Sequence, residues 1–128
     1  MSLDRRKQEV EILRRKYGSV EHGPNLDWIK FNQFQLPPGW NTSAVELLVL
    51  IPPGYPVTPP DNFYVRNGLR LADGRVPSNY SESQSVLGGS WAVFSFHSQG
   101  WTASNEHTEG DSLLGFVFGV ERRLQELN

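Results

Sequence analysis

Cysteine is absent from all 128 residues. That one absence removes disulfides, thiolate metal sites and thiol nucleophiles together. Long apolar runs are absent too, so no segment reaches membrane-spanning length and no membrane role is expected. There is no surplus of either charge. Twelve Lys and Arg stand against fourteen Asp and Glu, for a net charge of −2, which gives no reason to expect nucleic acid as a partner. The basic N-terminal stretch has no apolar segment behind it, so no signal peptide is expected, and a cytoplasmic setting follows. What remains is a folding composition. Fifteen aromatics and 38% hydrophobic residues suffice for a real core, and the length fits one domain over 1–128.

Proline is concentrated. Ile51 to Val65 reads IPPGYPVTPPDNFYV, with five prolines in fifteen residues, directly after strong strand sequence. Proline cannot donate to a ladder, so this stretch is expected to be an ordered, stiff, extended connection outside the sheet.

Around it the periodicities are readable. Residues 3–17 place Val10, Leu13 and Tyr17 at helical spacing, with Leu3 a heptad before Val10. Asp4 in the first turn and Arg14, Arg15 and Lys16 in the last suit the helix dipole. LDWIKFNQFQL reads as a strand with Trp28, Lys30, Asn32 and Phe34 on one face and Ile29, Phe31 and Gln33 on the other. AVELLVLI is almost continuously apolar, the signature of a central strand. NFYVR and WAVFSF are short strand candidates, separated by a long Gly/Ser/Asn-rich segment, 67–90, without periodicity. Asp111 to Leu127 reads as a helix N-capped by Asp111, with Leu113, Val117, Val120, Leu124 and Leu127 forming its stripe and Leu114 and Phe118 widening it. The order predicts an α+β fold: an antiparallel four-stranded meander with an N-terminal and a C-terminal helix.

The proline run is similar to a stretch of ubiquitin-conjugating enzymes. Those sequences carry P-x-x-Y-P-x-x-P-P after their third strand, and Pro52, Tyr55, Pro56, Pro59 and Pro60 occupy that pattern here. The resemblance implies that Tyr55 plugs the core while the prolines hold the connection. It also implies a Trp before the closing helix, matched by Trp101, and a fold without the family's last two helices. The departures bear on chemistry. The family's catalytic Cys aligns on Ala92 or Val93, and its His-Pro-Asn signature is reduced to Val76-Pro77-Ser78-Asn79. Thioester chemistry is therefore excluded. Ser95, His97, Trp101, Asp111, Val120 and Leu124 carry a closer resemblance to a cysteine-lacking bacterial ubiquitin-conjugating-like family, encoded with ubiquitin-like proteins, activating enzymes and metallopeptidases.

Ser95 and His97 form the candidate catalytic pair. A serine hydroxyl can hold an acyl group as an oxyester if a base takes its proton, and His97 is that base. The two lie on one face of a regular strand, about 7 Å apart. Ser98 is a second hydroxyl candidate, and no residue orienting the His is identifiable. The alternative is a strand hydroxyl bonded to backbone and a structural histidine. His97, His107, Glu109 and Asp111 are zinc or iron ligand types, but a solvated turn with an N-cap explains them more cheaply, so neither metal nor cofactor is expected. The resemblance also implies docking of the activating enzyme on the first helix, for which Arg5, Arg6, Arg14 and Arg15 are candidates. Its expected partners are a ubiquitin-like protein and its activating enzyme. Two alternatives stand beside the carrier reading: a non-catalytic module that binds the ubiquitin-like protein, and an adaptor sharing only the fold.

Overall fold

A computed structural model describes residues 3–98, 100–102 and 111–128. Its elements run α1 (Leu3–Tyr17), β1 (Val20–His22), β2 (Trp28–Gln35), β3 (Ala44–Leu50), β4 (Asp61–Val65), β5 (Tyr80–Val86), β6 (Gly89–His97) and α2 (Leu113–Gln125). The α+β class is as expected, but the sheet is larger than a four-stranded meander. Six antiparallel strands lie in the order β1-β2-β3-β4-β6-β5. The two additional strands are the three-residue β1 and the polar β5.

Helix α1 has the bounds its pattern predicts. Gly18, at φ +86°, ends it by donating its N–H to Arg14 O at 2.9 Å, a left-handed cap that glycine adopts without steric cost. The expected face assignment of β2 fails at its end. A register shift between Phe31 and Phe34 against β3 resets the alternation, so Phe34 joins Ile29 and Phe31 in the core while Gln33 is exposed. Strands β3, β4 and β6 add Leu47, Val49, Phe63, Val65, Ala92 and Phe94, with the Phe63 and Phe94 rings stacked at 4.8 Å. Helix α1 covers this layer with Val10 and Leu13, and α2 with Leu113, Phe116, Val117, Val120 and Leu124.

Residues 67–90 are not one irregular loop. Their second half is strand β5, which joins β6 through Leu87 and Gly88, both at positive φ (50° and 77°), between the paired Val86 and Gly89. Two positive φ values in a two-residue connection are the geometry that matches the twist of a hairpin. Strand β5 is polar and exposed along most of its length, so it carries no apolar alternation to reveal it.

The proline run links the neighbours β3 and β4, and it is turned rather than extended. Tyr55 N–H donates to Pro52 O at 3.0 Å, Thr58 N–H donates to Gly54 O at 2.9 Å, and the Tyr55–Pro56 bond is cis. Tyr55 is fully buried, and its hydroxyl donates to Glu9 Oε1 at 2.7 Å. The same oxygen accepts the N–H of Leu113 at 2.8 Å, and Oε2 accepts from Arg5 Nε at 2.9 Å. One buried carboxylate thus ties α1, the proline bridge and the start of α2 together. It sits where the first N–H groups of α2 need an acceptor. The residue capping α2 is Ser112, whose hydroxyl accepts from Gly115 N–H at 3.2 Å, and not Asp111. Asp111 instead exchanges two bonds with Thr102: Thr102 N–H to Asp111 Oδ2 at 2.6 Å and Asp111 N–H to Thr102 O at 2.8 Å. Leu127 lies beyond the helix and packs near Gly39. Among the described residues no helix is long and apolar enough to cross a membrane.

Candidate functional site

The end of β6 runs past the start of β5. Tyr80 pairs with Phe94, and the next residue, Ser95, donates its N–H to Asn79 O at 2.8 Å. On its other side β6 carries an extra residue relative to β4: Phe63 pairs with Phe94, but Asp61 pairs with His97. Asn62, at φ 62°, fills that irregularity, and its side-chain Oδ1 accepts the N–H of Phe96 at 3.0 Å. Phe96 turns toward α2, edge-on to Phe116 at 5.5 Å and to Phe63 at 5.6 Å. Gly119 admits it: a β-carbon there would lie 2.9 Å from the Phe96 ring.

A groove of about 480 Å³ opens between this end of β6 and α2. Ser95, His97 and Ser98 line it with Trp101, Asn79 and Arg122. Arg123 forms a buried part of its wall. Its guanidinium donates to Ser78 O at 2.8 Å and Glu126 O at 3.2 Å and lies 5.1 Å from the Phe94 ring. Burial holds its pKa below the usual guanidinium range. Trp101 is half-buried, and its Nε1 donates to Pro56 O at 2.8 Å, so the proline bridge braces one end of the groove.

The sequence-derived pair is therefore brought into one open groove. Ser95 and His97 are both exposed. Among the described residues the Ser95 hydroxyl makes no hydrogen bond, to His97 or to any other group. His97 Nδ1 is bonded to Asp61 Oδ1, a partner that sequence reasoning missed. Asp61 sits 36 positions away and meets His97 only through the β4–β6 register.

Other assignments change. Ala92, one of the two positions aligned on the family's Cys, is fully buried and pairs with Val65 in the core, so no reacting group could be reached there. Arg5 and Arg6, expected to face a partner, are each only 7% exposed. Arg5 holds Glu9, while Arg6 donates to Leu26 O at 2.9 Å and Pro52 O at 3.0 Å. Burying a guanidinium requires such acceptors. Arg14 and Arg15 lie outside: Arg14 is half-exposed and paired with Glu11, and Arg15 is exposed. His107 and Glu109, from the metal reading, lie outside the described residues. Of that set, His97 is engaged by Asp61 and Asp111 by Thr102.

An antiparallel sheet backed by two helices, with a tyrosine-anchored proline bridge and no thiol, defines a cysteine-free protein of ubiquitin-conjugating-like type. The model of Prokaryotic E2 family E matches residues 4–126, and the chain belongs to that family. Neither the curated proteins nor the solved structures gave a match.

Proposed function

We propose that the protein carries the C-terminus of a ubiquitin-like protein in the groove between β6 and α2, as an oxyester on Ser95. The observation that supports this reading is the opening of one groove onto both an imidazole and a serine hydroxyl that is unengaged among the described residues. In the proposed step Ser95 Oγ attacks the thioester carbonyl presented by an activating enzyme. The C–O bond forms as the C–S bond breaks, and the hydroxyl proton passes to His97 and on to the departing thiolate. Arg14 and Arg15 supply the cationic face of α1 for docking that enzyme.

The test is incubation with the cognate activating enzyme, the ubiquitin-like protein and ATP. An adduct that resists thiols, is cleaved by hydroxide and is lost in Ser95→Ala supports the carrier. A second reading rests on the lack, among the described residues, of a hydrogen bond between the Ser95 hydroxyl and His97, whose Nδ1 is bonded to Asp61: a non-catalytic module that seats the ubiquitin-like protein without a covalent bond. A stable complex with no adduct under the same conditions would select it.

A further inference from the structure

We propose that Asp61 is a positioning residue that sets which ring nitrogen of His97 faces the proton of Ser95. The inference rests on the carrier reading and adds a third group to it. Asp61 opens β4, His97 closes β6, and their backbones are paired in register, so the two side chains leave the sheet as direct cross-strand neighbours. The carboxylate meets Nδ1. An ionised carboxylate only accepts hydrogen bonds, so Nδ1 must carry the hydrogen in this pair. In a neutral ring the lone pair then resides on Nε2, the nitrogen left to serve as base. Without the carboxylate either tautomer is open to the ring, and in the one with hydrogen on Nε2 that nitrogen can take no proton.

The placement also explains the irregularity of β6. Without the extra residue between Phe94 and His97, Asp61 would not stand opposite the imidazole, and the Phe96 N–H would not be taken up by the Asn62 side chain. Other charged groups line the groove from α2 and its flanks: Asp111, Arg122, Arg123 and Glu126. Arg123 is engaged by backbone carbonyls and Asp111 by Thr102, and among the described residues the His97 ring is hydrogen-bonded to Asp61 alone.

The ring's ¹⁵N chemical shifts distinguish the tautomers without any turnover. The wild-type protein, at a pH where the ring is neutral, is expected to show protonated Nδ1. Asp61→Ala is expected to shift the population to protonated Nε2, with the melting temperature held because Asp61 is exposed at a strand end. In the loading assay Asp61→Ala is expected to slow adduct formation about 10- to 100-fold, a part of the roughly 10²- to 10⁴-fold that a positioned base supplies, because the imidazole itself remains. In a His97→Ala background it should slow nothing further, since residues acting as one unit are not additive. Unchanged ring shifts in Asp61→Ala overturn the positioning role whether or not an adduct forms. Absence of any adduct, with the shifts moved as expected, overturns the carrier reading and leaves the Asp61–His97 pairing standing. A loading defect of equal size in the wild-type and His97→Ala backgrounds overturns the inference as well.

Discussion

Replacing Glu9 with alanine tests the junction on which the groove depends. The Glu9 side chain is 2% exposed and accepts three hydrogen bonds, from Arg5 Nε, the Tyr55 hydroxyl and the Leu113 N–H. Truncation strips a buried guanidinium of its carboxylate, leaves a buried phenol and a helix N-terminal amide without this acceptor, and opens a void. Breaking a buried ion pair by removing one partner costs about 3–5 kcal/mol. That is a large share of the total stability of a typical domain, about 5–15 kcal/mol. The melting temperature should fall by about 10–20 °C for a chain of this size. Glu9→Gln keeps an acceptor oxygen for Tyr55 and Leu113 but removes the charge opposite Arg5, so its cost should be smaller. Tyr55→Phe loses a hydrogen bond to a charged acceptor, about 1.5–3 kcal/mol. Burial, followed by the Glu9 bond, pushes the Tyr55 hydroxyl above its ordinary range, which keeps it a donor at any ordinary pH. The assay is urea or thermal unfolding of the three single variants and the Glu9→Ala/Tyr55→Phe double variant. The double variant should be less damaged than the two singles together predict. A Glu9→Ala loss below about 1 kcal/mol, or strict additivity with Tyr55→Phe, would refute the reasoning that one carboxylate joins the three segments.

Three further outcomes follow from individual contacts. Leu87 occupies the first position of the β5–β6 turn at φ 50° and is 60% exposed, so Leu87→Asn should raise stability by about 1 kcal/mol in thermal unfolding, and a loss would contradict the turn geometry. Gly119→Ala gains helix propensity but drives a β-carbon to 2.9 Å from a Phe96 ring wedged between Phe63 and Phe116. It should lower stability by a net amount of about 1 kcal/mol, and a stabilised variant would show that the ring has room to move. Glu82 is held to a pKa of about 2 by Arg70, the Tyr80 hydroxyl and the Gly68 N–H. A depressed carboxylate stabilises the fold above its ordinary 4.5 and loses that contribution as pH falls toward 2. Wild type should therefore exceed Glu82→Gln in stability at neutral pH, with the gap closing across that window. A gap independent of pH would falsify the assignment.

How much of this was readable in the chain depended on whether an element touches the core along its length. Helix α1 buries one periodic stripe and strand β3 is apolar almost throughout, and these two patterns gave their bounds to within a residue or two. Strand β5 buries almost nothing. It is held by the β6 ladder and by Glu82, whose carboxylate joins Arg70, Tyr80 and the Gly68 N–H, and none of these contacts leaves a period in the sequence. The register shift in β2 was invisible for another reason: it depends on what β3 offers opposite, not on β2 alone. The burial of Arg6 did have a signal. Residues 6, 10, 13 and 17 follow the helical spacing of the apolar stripe, so position 6 points inward whatever residue stands there. Charge was read as exposure, and the carbonyls of Leu26 and Pro52 that make the burial tolerable could not be foreseen.

The same reasoning separates what sequence could and could not say of the groove. Ser95 and His97 were legible because their spacing is local, two residues on one strand. Asp61 was not, because a cross-strand partner is chosen by register, and the β6 irregularity shifts that register by one. The consequence is structural as well as interpretive. Trp101 is fastened to Pro56, Tyr55 to Glu9, and Glu9 to the first amide of α2. One end of the groove and the start of α2 are thus held by the turned proline bridge, whose prolines restrict the chain before folding as well as after it. A proline run that looks wasteful beside a good strand has its physical use here: Tyr55 places a phenol in the core, and the carbonyl of the next residue, Pro56, holds an indole at the end of the groove.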